Sequence, residues 1–253
     1  MAAREEASRS IAVLPLGATE QHGPHLPAET DAIIAGAMAE ELAKAAPADL
    51  PLLLLPVEAV GYSPEHLDYE GTLSLPYDEA IGRWISIGAD LAAQGVRKLM
   101  LLNAHGGNSP LMTIVATELR VRHDMFCVAT SWTRFGAADG LFDPDEIALG
   151  IHAGALETSV MLALRPELVR RDRLFRHQSQ QEGLARENAW LRAYGRHAFG
   201  WKMQDLNPAG AVGDATLGDA EKGRIIIARA ARGLVELAGE MHRFDLSRLK
   251  NRP

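Results

Sequence analysis

Residue types that bind metal ions gather at three places in this chain. The first is "TEQHGPHLPAETD" (19–31), which sets Glu20, His22 and Asp31 just after an apolar run. The second is His105 in "NAHGGNS", and the third is His152 with Glu157 in "GIHAGALETS". Glu20 and His22 are one residue apart, and in an extended segment alternate residues point the same way. Both can then face one cleft. Pro24 and Pro27 stiffen the loop that returns Asp31 to it, and a carboxylate there can place one oxygen on each of two ions. The mixture of imidazole and carboxylate suits Zn²⁺, Mn²⁺ or Fe²⁺ better than Ca²⁺. Gly106 and Gly107 let the backbone approach a ligand closely. Each place alone has an ordinary reading, a hydrogen-bonded turn or a braced helix end. All three together, each at an element boundary, favour a shared site.

The elements that must position these residues follow from apolar runs alternating with helix-period segments. Strands are predicted in "SIAVLPLGA" (10–18), "LPLLLLPV" (50–57), "RKLMLLN" (97–103) and "MFCVATSW" (125–132). Helices are predicted over 32–45 with Thr30 as N-cap, over 77–94 ending at Gly95, and after Ser109 as N-cap with Pro110 next. A buried helix over 155–166, a solvated one over 178–195 and a long one over 219–244 follow. Residues 133–146 and 199–218 read as loops. The βαβαβαβ order predicts an α/β fold: one domain, a mostly parallel central sheet, and helices on both faces in three layers. Its expected bounds are 10–245, with a flexible N-terminus (1–9) and a C-terminal tail (246–253). In such sheets, sites form beyond the carboxyl ends of the strands. Glu20, His22 and His105 all fall there.

Composition narrows the function. The chain has 253 residues, 47% of them hydrophobic, and a net charge of −7. This balance argues against nucleic acid and basic membrane contacts as partners. The longest apolar stretch (50–57) is too short to cross a bilayer and contains Pro51 and Pro56. The charged start "MAAREEASRS" has no apolar signal core. With Cys127 the single cysteine, read as a buried strand thiol, a cytoplasmic location is expected. "GAVGD" (210–214) lacks the Lys–Ser/Thr of a phosphate loop and reads as a tight turn.

"LPLGATEQHGPHLPAETD", "LLNAHGGNS", "HAGALETSVML" and "GAVGDATLGDAEKG" resemble the successive motifs of the creatininase (creatinine amidohydrolase) family, in the family's order. The resemblance implies a single α/β domain, hydrolysis of C–N bonds in small cyclic or linear amides, two divalent ions per subunit (Zn, Mn or Fe), and a homo-oligomer, commonly a hexamer. By the same resemblance, Glu20, Asp31 and His105 bind one ion. His22 and Asp31 bind the other, with Asp31 bridging. Creatinine-hydrolysing members carry a glutamate where this chain has Gly107, so Glu157 is the candidate to complete the second ion's shell. A hydroxide shared by the ions is expected to attack the amide carbonyl, with His152 giving a proton to the leaving nitrogen; His152 and Glu157 are the expected catalytic residues. "GYSPEHLDYEGTLSL" (61–75) resembles the family's substrate-side loop. The expected substrate contacts are therefore Ser63, His66, Thr72, Gly106, Gly107 and Trp132. Those members also carry a tryptophan and a glutamate where this chain has Ala148 and Ile151. Together with Gly107, this points to a small lactam, formamide or similar amide other than creatinine. The alternatives are creatinine hydrolysis proper, a peptidase that matures a cofactor precursor, and a non-catalytic binding member.

Overall fold

The computed structural model describes residues 7–250. Residues 1–6 and 251–253, parts of the expected flexible N-terminus and tail, lie outside the described residues. In chain order the elements are β1 (Ile11–Leu16), α1 (Thr30–Ala45), β2 (Leu52–Leu54), α2 (Tyr77–Ala93), β3 (Lys98–Asn103), α3 (Ser109–His123) and β4 (Phe126–Ser131). Then come α4 (Pro144–Leu149), α5 (Ala155–Leu164), β5 (Arg176–His177), α6 (Gln181–Glu187), α7 (Met203–Leu206), β6 (Gly213–Asp214) and α8 (Ala220–Arg243). Strands β1 to β4 form one parallel sheet in the order β2-β1-β3-β4, and β5 and β6 form a small antiparallel pair.

Alternation along the strands builds two apolar layers, as expected for a sheet covered on both faces. Ile11, Val13, Met100 and Leu102 pack with α1, α5 and α8 through Ile34, Met38, Val160, Ile226 and Leu234. Ala12, Leu14, Leu16, Leu99 and Leu101 pack with α2 and α3 through Trp84, Leu91, Met112, Val115 and Leu119. Pro15 sits in the interior strand β1, where a missing N–H normally breaks a ladder. Its carbonyl accepts from Glu58 N–H on the β2 side, and β2 has already ended at Leu54. The lost donor therefore falls in the break between the Val13–Leu54 pair and the Leu16–Glu58 bridge.

Several local expectations change. The second strand shrinks to three residues, because Pro51 and Pro56 bracket it at the sheet edge. Thr30 does not cap α1: it is the first helical residue, and its hydroxyl donates back to Pro27 O at 2.7 Å. Ser109 is likewise inside α3, because a 3-10 turn over Gly106–Asn108 runs directly into the helix. The predicted helix over 178–195 is ordered as a helix only over Gln181–Glu187. The loop over 133–146 ends in the start of α4, and the loop over 199–218 contains α7 and β6. Among the described residues no helix is long and apolar enough to cross a membrane.

Two features of this scaffold place the site. Leu16 pairs with Asn103, so the loops carrying Glu20 and His105 leave the sheet side by side. At Gly17 an added Cβ would collide with the backbone of Ala32. Glycine there lets the first turn of α1 rest on the end of β1, which brings Asp31 beside Glu20.

Leu101 is fully buried between β3 and the α2–α3 layer. Leu101→Ala is expected to lower stability by about 2–5 kcal/mol, read from denaturant unfolding; a change under about 0.5 kcal/mol would show that this layer is not the core.

Candidate metal and hydrolytic centre

The loop after β1 does not continue as a regular strand. Glu20 and His22 reach one cluster as expected, but Gln21 also points into it. Gln21 Oε1 accepts the Gly23 N–H at 2.9 Å, which turns its amide nitrogen to His66 Nδ1 at 2.7 Å. His66 must then carry its proton on Nε2, which faces Glu20 Oε1 at 3.4 Å.

Three other histidines are oriented by the main chain. His22 Nδ1–H donates to Glu20 O at 2.9 Å, His105 Nε2–H to Tyr62 O at 2.9 Å, and His152 Nε2–H to Gln21 O at 2.8 Å. A carbonyl only accepts, so each bond fixes the tautomer. The free nitrogens then all face carboxylates. His22 Nε2 lies 3.3 Å from Asp31 Oδ1 and 4.0 Å from Glu157 Oε2. His105 Nδ1 lies 3.1 Å from Glu20 Oε1 and 3.3 Å from Asp31 Oδ2. His152 Nδ1 lies 3.6 Å from Glu20 Oε1. The two oxygens of Asp31 thus face two different imidazoles.

Lone pairs facing carboxylates repel unless a proton or a cation lies between them. Glu20 Oε1 and Oε2, His22 Nε2 and Asp31 Oδ2 are buried without a hydrogen-bond partner. Buried polar atoms normally have one. The ligand atoms of Glu20–His22–His152, Glu20–Glu65–His105 and His22–Asp31–Glu157 lie within 4.8 Å of one another in each group. The donor set is therefore suited to divalent ions of the Zn or Mn type.

Electrostatics agree. Burial opposes a charge on His22, but the Asp31, Glu157 and Glu20 carboxylates outweigh it and hold its pKa up to about 10. Burial likewise opposes the Asp31 charge, and the flanking His22 and His105 overcome it and keep Asp31 below the usual carboxylate range. Burial pushes Glu157 up to about 7, and burial beside His22 and His66 pushes His152 well below 6.5.

Asn103 and Asn108 hold the turn around His105. Asn103 Oδ1 accepts the His105 N–H, and Asn108 bonds Gly17 O, Tyr62 N–H and Asn103 Oδ1. Glu157 Oε2 accepts the Ala153 N–H at 2.6 Å, so this residue also braces the start of α5. Ala153 has φ 54°, a left-handed conformation costing about 1–2 kcal/mol for an L-residue. His25 Nε2 meets Thr158 Oγ1 at 3.0 Å and ties the first loop to α5.

A cavity of about 350 Å³ adjoins the cluster, lined by Gly106, Trp132, Arg134, Ile147, Ile151 and Glu157 among others. The expected contacts Gly106 and Trp132 are there. Ser63, His66, Thr72 and Gly107 are not among its lining residues. The Ser63 hydroxyl is buried against His105 Nε2 at 3.2 Å, and Thr72 Oγ1 accepts the Gln21 N–H at 3.0 Å. The Gly107 side faces the His105 ring and Glu65. These residues are used up in holding the site. "GAVGD" also serves it: Val212 N–H bonds His152 O at 3.0 Å, and Gly210 packs on Gln21. Sequence reasoning passed over Gln21, Glu65 and Glu146. Glu146 accepts the Ala155 and Asp214 N–H groups at 2.8 Å each and joins α4 to α5 and β6. Only the neighbours of Gln21 and Glu65, themselves motif residues, hinted at the first two.

Fold and cluster together define the class. The chain matches the sequence model of the creatininase family (creatinine amidohydrolase) over residues 1–238, and it belongs to that family of amidohydrolases. It is 34% identical to a mycofactocin precursor peptide peptidase of Mycobacterium ulcerans, over 85% of this chain and 79% of that one. It is 31% identical to a creatinine amidohydrolase of Pseudomonas putida, over 69% and 72% of the two chains. A mutant creatininase of Zn-Zn type superposes with TM-score 0.74 at 28% identity, covering 96% of this chain and 94% of that one.

In metal-free protein the charged His22 stabilises the fold fully below its unfolded pKa of 6.5, and this is lost as pH rises through about 10. Glu157 acts in the same direction between 4.5 and about 7, because the folded state favours its neutral form. The unfolding temperature of chelator-treated protein is therefore expected to fall from pH 6.5 to 10, and saturating Zn²⁺ to diminish the fall. A rise in the metal-free protein over that range would contradict the cluster.

Proposed function

We propose that the chain is a two-ion metal-dependent hydrolase of an amide C–N bond, with a peptide-like amide preferred over creatinine. The observation that carries the two-ion reading is Asp31, whose Oδ1 and Oδ2 each face the free nitrogen of a different imidazole. Glu20, Asp31 and His105 would hold one ion, and His22, Asp31 and Glu157 the other. Bound divalent ions lower the pKa of water toward ~7 and polarise a carbonyl oxygen. Glu157 belongs to both the cluster and the cavity wall, so a substrate in the cavity lies against the site.

His152, which belongs to the cluster but not to the cavity wall, would be the proton carrier. Its one N–H is committed to Gln21 O, and burial keeps the ring neutral. It would therefore take the proton released by the attacking water on Nδ1 and pass it to the leaving nitrogen, a general base that becomes the general acid. The peptide preference is supported by the match to the peptidase over most of the chain and by Gly107, Ala148 and Ile151 in place of the residues expected for creatinine.

Elemental analysis of protein purified without chelator is expected to give near two ions per subunit. Asp31→Ala is expected to lose both, and a full load in that variant would end the bridging assignment. Metal-loaded wild type is expected to turn over short peptides in a panel that includes formamides, lactams and creatinine. Turnover of creatinine alone would reverse the substrate reading.

A further inference from the structure

Glu65 lies in the turn Pro64–His66, between Ser63 and His66, which both touch the cluster. Its carboxylate does not face the nitrogen of His105 that looks at Glu20 and Asp31. It faces the other one: Glu65 Oε1 is 3.7 Å from His105 Nε2, and the side chain is only 17% exposed. The N–H on that nitrogen is donated to Tyr62 O at 2.9 Å, with Ser63 Oγ at 3.2 Å, so the Glu65 carboxylate stands behind it without a hydrogen bond. The far side of the ring is thus lined by three acceptors, one of them charged.

Gly107 explains why a carboxylate can stand there. A Cβ at 107 would collide with His105 Nε2 and Tyr62 O and would lie 3.0 Å from Glu65 Oε1. The room a side chain at 107 would need is filled by the ring, the carbonyl and the Glu65 carboxylate. Any residue larger than glycine would push the 62–66 turn away from His105. Tyr62 O holds the ring's orientation; a carboxylate close behind that N–H favours positive charge on the ring and makes the opposite nitrogen more basic toward a metal.

From this juxtaposition we infer that Glu65 is a positioning residue: its carboxylate backs the Nε2 side of His105 and presents Nδ1 to the divalent ion. The role rests on the metal reading above. Glu65 also stands within 4.8 Å of ligand atoms of Glu20 and His105, but its role is not that of a ligand, because its Oε1 faces Nε2, the nitrogen turned away from Asp31, and it acts on affinity through His105.

The test is calorimetric titration of Zn²⁺ into the metal-free full chain, with thermal unfolding of the same samples. Glu65→Gln keeps the shape and removes the charge. It is expected to weaken Zn²⁺ binding by about 3–10-fold, less than loss of a hydrogen-bonded partner would, without lowering the unfolding temperature of the metal-free form, since it relieves a cluster rich in buried acids. Glu65→Asp keeps the charge and is expected to bind closer to wild type than Glu65→Gln does. Affinity of Glu65→Gln within twofold of wild type overturns the role, and so does the reverse order of the two variants. A lower unfolding temperature of metal-free Glu65→Gln makes Glu65 structural and overturns it too. Wild type that takes up no Zn²⁺ overturns the metal reading itself.

Discussion

Three imidazoles commit their single N–H to main-chain carbonyls, and this leaves their lone pairs aimed at carboxylate oxygens in a buried cluster. The rest of the site depends on that constraint. Without a cation, burial and neighbouring charge force protons onto groups that would not otherwise hold them at neutral pH, as at His22. Uncompensated buried charge is costly, and a cation shared among the carboxylates is the arrangement that relieves it most directly. The cluster is thus suited to a divalent ion on its own geometry, before any substrate is considered.

The scaffold meets the constraint with short-range devices. The parallel register of β1 and β3 puts two loops side by side at the carboxyl end of the sheet. Asn108 then ties those loops to the Tyr62 turn. Glu157 serves as both helix brace and cluster member, and Val212 pins the main chain of His152. Because the same hydrogen bonds hold the loops and fix the tautomers, local folding and readiness for metal are one event. Sites held this way need little reorganisation when charge develops in a reaction.

The cavity is the less constrained part. Its wall joins Glu157 and Gly106 to the exposed Ile147 and Ile151 and to Arg134. Apolar and cationic groups at such a rim suit a substrate larger than the reacting amide. This fits the peptide-like reading better than a small closed ring.

Much of this protein was legible in its sequence. The alternation of strand and helix periods determined the parallel sheet, because a strand buried on both faces must be apolar throughout while its covering helices show one stripe. Residue type and position pointed to the cluster: Glu20, His22, Asp31, His105, His152 and Glu157 lie together, the first two and His105 on the loops that leave the carboxyl ends of β1 and β3. Only tertiary structure decided the partners beyond them. Gln21 and Glu65 join the centre, and Ser63 and Thr72 face inward, because loop backbones there follow no fixed period that spacing could reveal. The direction of each histidine was decided the same way. A tautomer is set by which carbonyl comes within reach of the ring, and that is a property of folded loops rather than of the order of residues.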